Sequence, residues 1–183
     1  SEATIVNNLI SVEDYGIYLY QHNYYHNIYY NSVKVLDSHA LYTQSGNSNN
    51  TLINNILLTE STSTPAAYIY NTSVFTSSDY NDFSTSYTYP IYYSGNKTLE
   101  QWQAYGQDSN SVELDPVYNT DSTLVPMSLA LDNLGTPITG ITDDRNGTNR
   151  SETTPDMGAI EFSVSGTPLS GSYTIGTGGD FAS

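Results

Sequence analysis

The 183-residue chain has no cysteine, four basic side chains and a single tryptophan. The lack of cysteine excludes disulfides and thiolate metal sites, although it does not by itself locate the protein. Lys34, Lys97, Arg145 and Arg150 cannot form the stripe that neutralises a phosphate backbone, which argues against nucleic-acid binding. Against 19 acidic residues they leave a net charge of −15. Charged residues make up 13% of the chain, about half the ordinary share of roughly 25%. Long apolar runs are missing as well. No stretch approaches the roughly 20 residues of a membrane-spanning helix, and the opening residues do not read as a signal peptide. The length fits one ordinary domain.

In place of charge the chain carries 18 tyrosines and many Asn, Ser and Thr residues. A polar, acidic chain can be disordered, but 37% of these residues are hydrophobic and many alternate with polar ones. Ile17 and Leu19, Val33 and Val35, and Tyr68 and Tyr70 sit in such two-residue alternations. Helix formers are scarce, whereas Tyr, Thr, Val and Ile are plentiful, so the body is expected to be β-rich.

Internal repetition decides which kind of β structure this is. Four segments match one another, beginning at Ile5, Ile28, Leu52 and Ser78. Their fourth residues are Asn8, Asn31, Asn55 and Asn81, at steps of 23, 24 and 26. A second series beginning at Gly16, Ala40, Ala67 and Pro90 advances by 24, 27 and 23. Two independent markers share one period. A period near 24 with two or three short strands predicts one turn of a parallel β-solenoid, each turn about 4.8 Å above the last. Leucine-rich repeats of similar length would show a Leu-x-x-Leu-x-Leu pattern and a helix, and neither is present.

Equivalent residues should then form columns. Ile10, Val33, Leu57 and Phe83 make one, Val12, Val35, Thr59 and Thr85 its neighbour, and Ile17, Leu41, Tyr68 and Ile91 a third. The Asn8–Asn31–Asn55–Asn81 column is expected to take left-handed backbone at a bend and to bond amide to amide along the stack. These Asn-Asn-x-Ile rungs resemble the right-handed parallel β-helix proteins with pectate-lyase-like repeats, over roughly residues 3 to 95.

Beyond Tyr93 the period stops. Thr98 and Gln101 fit a capping box opening a short helix, and its Leu99 and Trp102 would plug the open end of the stack. Residues 111–162 read as an irregular tail that completes the closure. Within it Arg145 and Arg150 are expected to pair with Asp144, Asp156 or Glu161. The run from Asp144 to Arg150, followed by Pro155 to Glu161, resembles a terminal segment of large secreted β-helix proteins, particularly those of the Bacteroidota. Gln101-Trp102, Gln107-Asp108 and Asp115-Pro116 occupy matching places before it. The expected organisation is therefore rungs over 1–95, cap and tail over 96–163, and a linker with the start of a further domain over 164–183. Ala3 lies inside a rung without a cap, and the segment from Ser172 to Phe181 resembles the opening of another β-helix domain. Both suggest a piece of a longer multidomain protein.

Catalytic chemistry is thinly represented. The resemblance implies polysaccharide lyases, which need a Lys or Arg base, often with calcium. Lys34 is the only basic residue in the four rungs, and its phase points it outward into solvent. A glycosidase needs two carboxylates about 5 Å or roughly 6.5–9.5 Å apart. Glu13, Asp14, Asp37 and Glu60 share similar rung phases, which makes Asp14, Asp37 and Glu60 catalytic candidates and all four a possible calcium column. The polygalacturonase-type combination of Asn-Thr-Asp, Asp-Asp and His-Gly is missing, and a solvated turn face explains the acids as well. No RTX or EF-hand loop occurs. His22 and His26 are spaced for zinc only on a helix, and they lie between strands here. No Gly-x-Ser-x-Gly elbow or phosphate-cradling loop appears.

Tyrosine is the remaining distinctive feature. Tyr18, Tyr42 and Tyr92 fall in one outward column, interrupted at the third rung by Ile69. Tyr24, Tyr25, Tyr29 and Tyr30 add aromatic surface. Such a column suits contact with a polysaccharide or cell-surface glycan, or cross-strand stacking that stabilises the sheet. The expected protein is a noncatalytic extracellular bacterial module with an adhesive or spacer role, joined to further domains of its own chain, with no cofactor beyond possible calcium. The alternatives are a fragment of a polysaccharide lyase or glycosidase, and a carbohydrate-binding module.

Overall fold

The computed structural model describes residues 2–164. The first turn runs through β1 (Thr4–Val6), β2 (Leu9–Val12) and β3 (Ile17–Leu19). The second uses β4 (Asn27–Tyr29), β5 (Ser32–Val35) and β6 (Leu41–Thr43), and the third uses β7 (Asn50–Ile53), β8 (Ile56–Thr59) and β9 (Ala67–Tyr68). The fourth comprises β10 (Phe75–Asp79), β11 (Asp82–Thr85) and β12 (Ile91–Tyr92). Equivalent strands pair in parallel from turn to turn, giving three sheets ordered β1-β4-β7-β10, β2-β5-β8-β11 and β3-β6-β9-β12. The chain is an all-β parallel solenoid of about four turns.

Its core is the set of inward columns. Ile10, Val33, Leu57 and Phe83 are in register, as are Val12, Val35, Thr59 and Thr85. The third column differs from the expectation by one residue. Ala67, not Tyr68, stands between Leu41 and Ile91. The insertion that lengthens the third turn lies in the loop before β9, and Ile69 turns into the core. Gly16 is required by close approach: a Cβ there would come within 2.2 Å of Val33 Cγ1 and 2.6 Å of the Ala40 carbonyl.

The asparagine column is a continuous hydrogen-bonded ladder. Nδ2 of Asn8 donates to Oδ1 of Asn31 at 2.9 Å, Asn31 to Asn55 at 2.9 Å, and Asn55 to Asn81 at 3.0 Å. Each Oδ1 also accepts the backbone N–H of the Asn below it. These residues do not themselves take left-handed backbone. That role falls to the preceding Asn7, Tyr30, Asn54 and Tyr80, with φ between 49° and 61°. The ladder side chain fixes the corner that its neighbour turns. A second, shorter ladder at the next corner joins Asn23 to Asn47, through the backbone N–H at 2.8 Å and Nδ2 at 3.0 Å.

The end of the stack is closed as expected by α1 (Leu99–Gln103), whose capping box joins Thr98 and Gln101. Before it, β13 (Asn96–Lys97) adds antiparallel to β12. Trp102 is buried against the core. After the helix the chain makes part of a fifth turn, because Asp108 N–H donates to Ser78 O at 2.7 Å and Val112 N–H to Asn81 O at 2.8 Å.

The following segment does more than close that end. It returns lengthwise along the outside of the asparagine corner and the β2-β5-β8-β11 sheet. Gly158 N–H donates to Asn54 O at 2.7 Å, Ala159 N–H to Ser32 Oγ at 2.9 Å, and Asn7 Nδ2 to Asp143 O at 2.9 Å. Ile56, Leu131 and Met157 are the centre of a second core outside the solenoid, joined by Leu114, Tyr118, Leu134 and Phe162. Gly158, at φ 82°, lets the backbone pass over the sheet, where a Cβ would meet Ser32 Oγ at 2.6 Å.

Candidate functional site

The most regular solvent-facing feature is an aromatic row on the β3-β6-β9-β12 sheet. Parallel register puts Tyr18, Tyr42, Tyr68 and Tyr92 side by side. The column that the sequence breaks at the third turn is therefore unbroken, because Tyr68 fills the place given to Ile69. Tyr42 and Tyr68 stack at 4.6 Å and 19°, and Tyr68 and Tyr92 at 4.6 Å and 7°. Tyr18 meets Tyr42 edge-on at 5.0 Å. Tyr15 and His39 flank the row, with Tyr15 5.0 Å from Tyr42 and His39 5.5 Å from it.

This geometry decides what the row can contact. Tyr68 is stacked on both faces, so it offers outward only its edge and hydroxyl, while Tyr42 and Tyr92 each have the face turned to Tyr68 covered. Burial and the neighbouring Tyr42 and Tyr92 push the Tyr68 phenol up, which keeps it protonated and able to donate. His39 Nδ1 lies 2.7 Å from the Pro65 carbonyl, and since a carbonyl only accepts, Nδ1 carries the proton. Burial lowers the His39 pKa, opposed by that same hydrogen bond, which favours the neutral ring.

The acidic column expected from Glu13, Asp14, Asp37 and Glu60 lies at the surface. Asp37 N–H donates to the Glu13 carbonyl at 3.0 Å, while the side chains of Glu13, Asp14 and Asp37 are exposed. Glu60 instead binds Lys34 at 2.6 Å, and Asp121 of the return segment binds the same ammonium at 2.6 Å. Lys34 does not reach open solvent as its phase suggested, since its side chain is only 9% exposed. A rung alignment cannot reveal a segment crossing the outer face of a sheet. Its pKa is raised by Asp121 and Glu60 despite burial, the reverse of what a proton-abstracting base requires. A groove of about 420 Å³ beside this pair is lined by Glu60, Glu113 and Asp115, with Ser and Thr between them and no basic residue. Among the described residues no cluster of three or more His, Cys, Asp or Glu side chains is arranged to hold a metal ion.

The tail arginine sits at the centre of the return segment. Arg150 pairs with Glu161 at 3.3 Å and donates to the carbonyls of Asp156 and Gly158 and to Asn7 Oδ1. Its guanidinium lies 3.8 Å over the Tyr30 ring. Asp144 and Asp156, predicted as partners, accept backbone N–H groups instead. Asp144 takes those of Asn146, Thr148 and Glu161, and Asp156 those of Asn133 and Phe162.

Residue chemistry missed in the sequence concerns Asp108. Its carboxylate accepts Trp102 Nε1 at 2.7 Å, Ser111 Oγ at 2.6 Å and Asn81 Nδ2 at 3.1 Å. It thus terminates the ladder and anchors the plug together. Ser111 Oγ accepts Asn81 N–H at 2.8 Å, standing where a fifth Asn would be. The step from Asn81 to Ser111 is 30 residues, outside the repeat, so no period announces it.

These features define a parallel β-solenoid closed at one end and belted along one side. The chain matches no family model, no curated protein and no solved structure.

Proposed function

We propose that this chain is a noncatalytic module of a large bacterial surface or secreted protein, serving as an adhesive or spacer element. The observation that carries this reading is the use made of its polar side chains. Asn8, Asn31, Asn55, Asn81, Asn23 and Asn47 bind rung to rung, and the buried acids hold loops. The resemblance of the Asn-Asn-x-Ile rungs to pectate-lyase-like repeats, and of the tail to secreted Bacteroidota proteins, supports the extracellular setting. Lyase chemistry fits poorly. The one rung lysine is held by two carboxylates, and the adjoining groove is lined by acids that repel a uronate chain.

A second reading rests on the tyrosine row. Its hydroxyls and edges recur every 4.6 to 5.0 Å along the stack, which suits lateral contact with an extended glycan rather than insertion of a sugar between rings. A glycan array, together with assays for reducing or unsaturated sugars released from neutral and acidic polysaccharides, tests both readings. A spacer gives neither binding nor release. Selective binding abolished by Tyr68→Ala establishes the adhesive form, and sugar release overturns the noncatalytic assignment.

A further inference from the structure

The return segment crosses the solenoid over a carboxyl group that has no counter-charge. Asp82 lies in β11, in register with Ile56 and one position before the inward Phe83, so it points outward beneath the segment. It is 0% exposed. Oδ1 accepts the Leu114 N–H at 2.9 Å, whereas the buried Oδ2 has no partner. The buried hydroxyl of Tyr118, carried by the segment itself, has none either. The charged groups facing Asp82 are Glu113 and Asp115, on either side of Leu114, and both are acidic. The rung cation Lys34 is already committed to Glu60 and Asp121.

An ionised carboxylate in such a place costs several kcal/mol, with no ion pair to offset it. A neutral carboxyl costs far less, and its O–H becomes a donor. We propose that Asp82 is protonated in the folded protein and makes the belt an acid-tightened clamp, in which ionisation loosens residues 112–134 from the solenoid. Burial and the two flanking acids act in the same direction on this group, raising its pKa well above 3.8 against the single Leu114 hydrogen bond. The sign follows from linkage. Below the unfolded value of 3.8 both states are protonated and the clamp is fully stabilised. As pH rises from there through the folded pKa, the unfolded or undocked chain releases its proton first, and stability falls. Above the folded pKa the loss is complete.

Glu113 is also raised by burial, Asp108 by burial against four hydrogen bonds, and Asp156 to about 6, so the whole protein responds to pH through several groups. The Asp82 contribution is isolated by difference. Asp82→Asn keeps the shape and the acceptor for Leu114 but removes the ionisation. Hydrogen exchange of residues 112–134, corrected for intrinsic rates, is compared in the 183-residue protein and in the variant from about pH 5 to about pH 8. Protection in the wild type is expected to fall at least roughly tenfold more than in the variant, equivalent to one unit of pKa. Equal pH dependence in the two proteins overturns the proposal. A carboxyl carbon NMR titration of the wild type provides a check independent of variant folding. Asp82 should stay protonated through the ordinary carboxylate range, and a midpoint near 4 would sink the clamp.

Discussion

The solenoid and its belt solve the same problem, satisfying backbone and burying apolar side chains, by opposite means. In the solenoid one arrangement is repeated. Each corner has an Asn whose amide bonds to the Asn above it, and each face has a column of like residues. In the belt no contact is repeated, and carboxylates do the work. Asp144 gathers three backbone N–H groups, Asp156 two, and Glu161 the N–H groups of Ser151 and Asp156. A stack can use neutral amides because the next rung always supplies both donor and acceptor. A single irregular loop has only orphan donors to satisfy, and a carboxylate is the acceptor with the greatest capacity. The acidic excess is thus partly a consequence of how much of the chain is loop.

The sharpest way to break this comparison is to remove one amide from the middle of the ladder. Asn55→Ala removes bonds to Ile28 O, Ile53 O and Asn81 Oδ1, leaves the Asn31 backbone N–H without an acceptor, and takes from the Asn31 amide one of its three acceptors. With buried unsatisfied groups at roughly 1–3 kcal/mol each, a loss of about 4 kcal/mol or more is expected. That is comparable to the whole stability of a marginal domain. Urea unfolding followed by circular dichroism measures it, and a loss below about 1 kcal/mol would remove the ladder from its structural role.

At the junction of the two regions, Asp108→Ala should cost about 3 kcal/mol, since it orphans the Trp102 indole N–H and takes the acceptor of the Ser111 hydroxyl. Because Trp102 is the only tryptophan, its fluorescence reports the site directly. Emission should shift to the red before global unfolding, and an unchanged spectrum would contradict the anchoring role.

In the belt itself the leverage is pH. Burial raises Asp156 from 3.8 to about 6, against the hydrogen bonds from Asn133 and Phe162 and reinforced by Glu161 and Asp132. Its contribution is full below 3.8 and is lost as pH climbs through about 6, amounting to about 3 kcal/mol at most. A carboxyl NMR titration placing its midpoint near 4 would refute this.

The tyrosine row should matter less to folding. Tyr68→Ala removes two stacked pairs at roughly 0.5–1.5 kcal/mol each beyond the area lost, for a total near 2 kcal/mol in thermal or urea melts. Smallest of all is Lys34→Met. Its partners Glu60 and Asp121 are 49% and 78% exposed, so solvent screening holds the expected change below about 1 kcal/mol. A larger loss would mean that this ion pair, rather than the outer core around Ile56, holds the belt in place.

How much of this could be read in the chain follows the same division. The solenoid was legible because a repeated structure writes its period into the sequence: Asn8, Asn31, Asn55 and Asn81 fixed both the rung and the register. The error at Tyr68 arose where a longer loop shifted the phase by one residue, and one residue exchanges the two faces of a strand. The second ladder, Asn23 to Asn47, has the same 24-residue step and is as legible as the first. Asp108, Asp82 and the covered Lys34 were not, because each acquires its role from a partner far away in sequence with no recurring interval. The expected linker and start of a further domain, over 164–183, lie almost wholly outside the described residues.

By itself, then, the sequence determined the class of fold, the rung period, the amide ladder and the capping helix, all of which depend on local patterns or on intervals that recur. Only the tertiary structure decided that the tail is a belt along the side of the stack, that the tyrosine row runs without a break and that Asp82 is sealed without a counter-charge. Those outcomes depend on where a nonrepeating segment lands. That is settled by shape and by unsatisfied donors across the whole molecule.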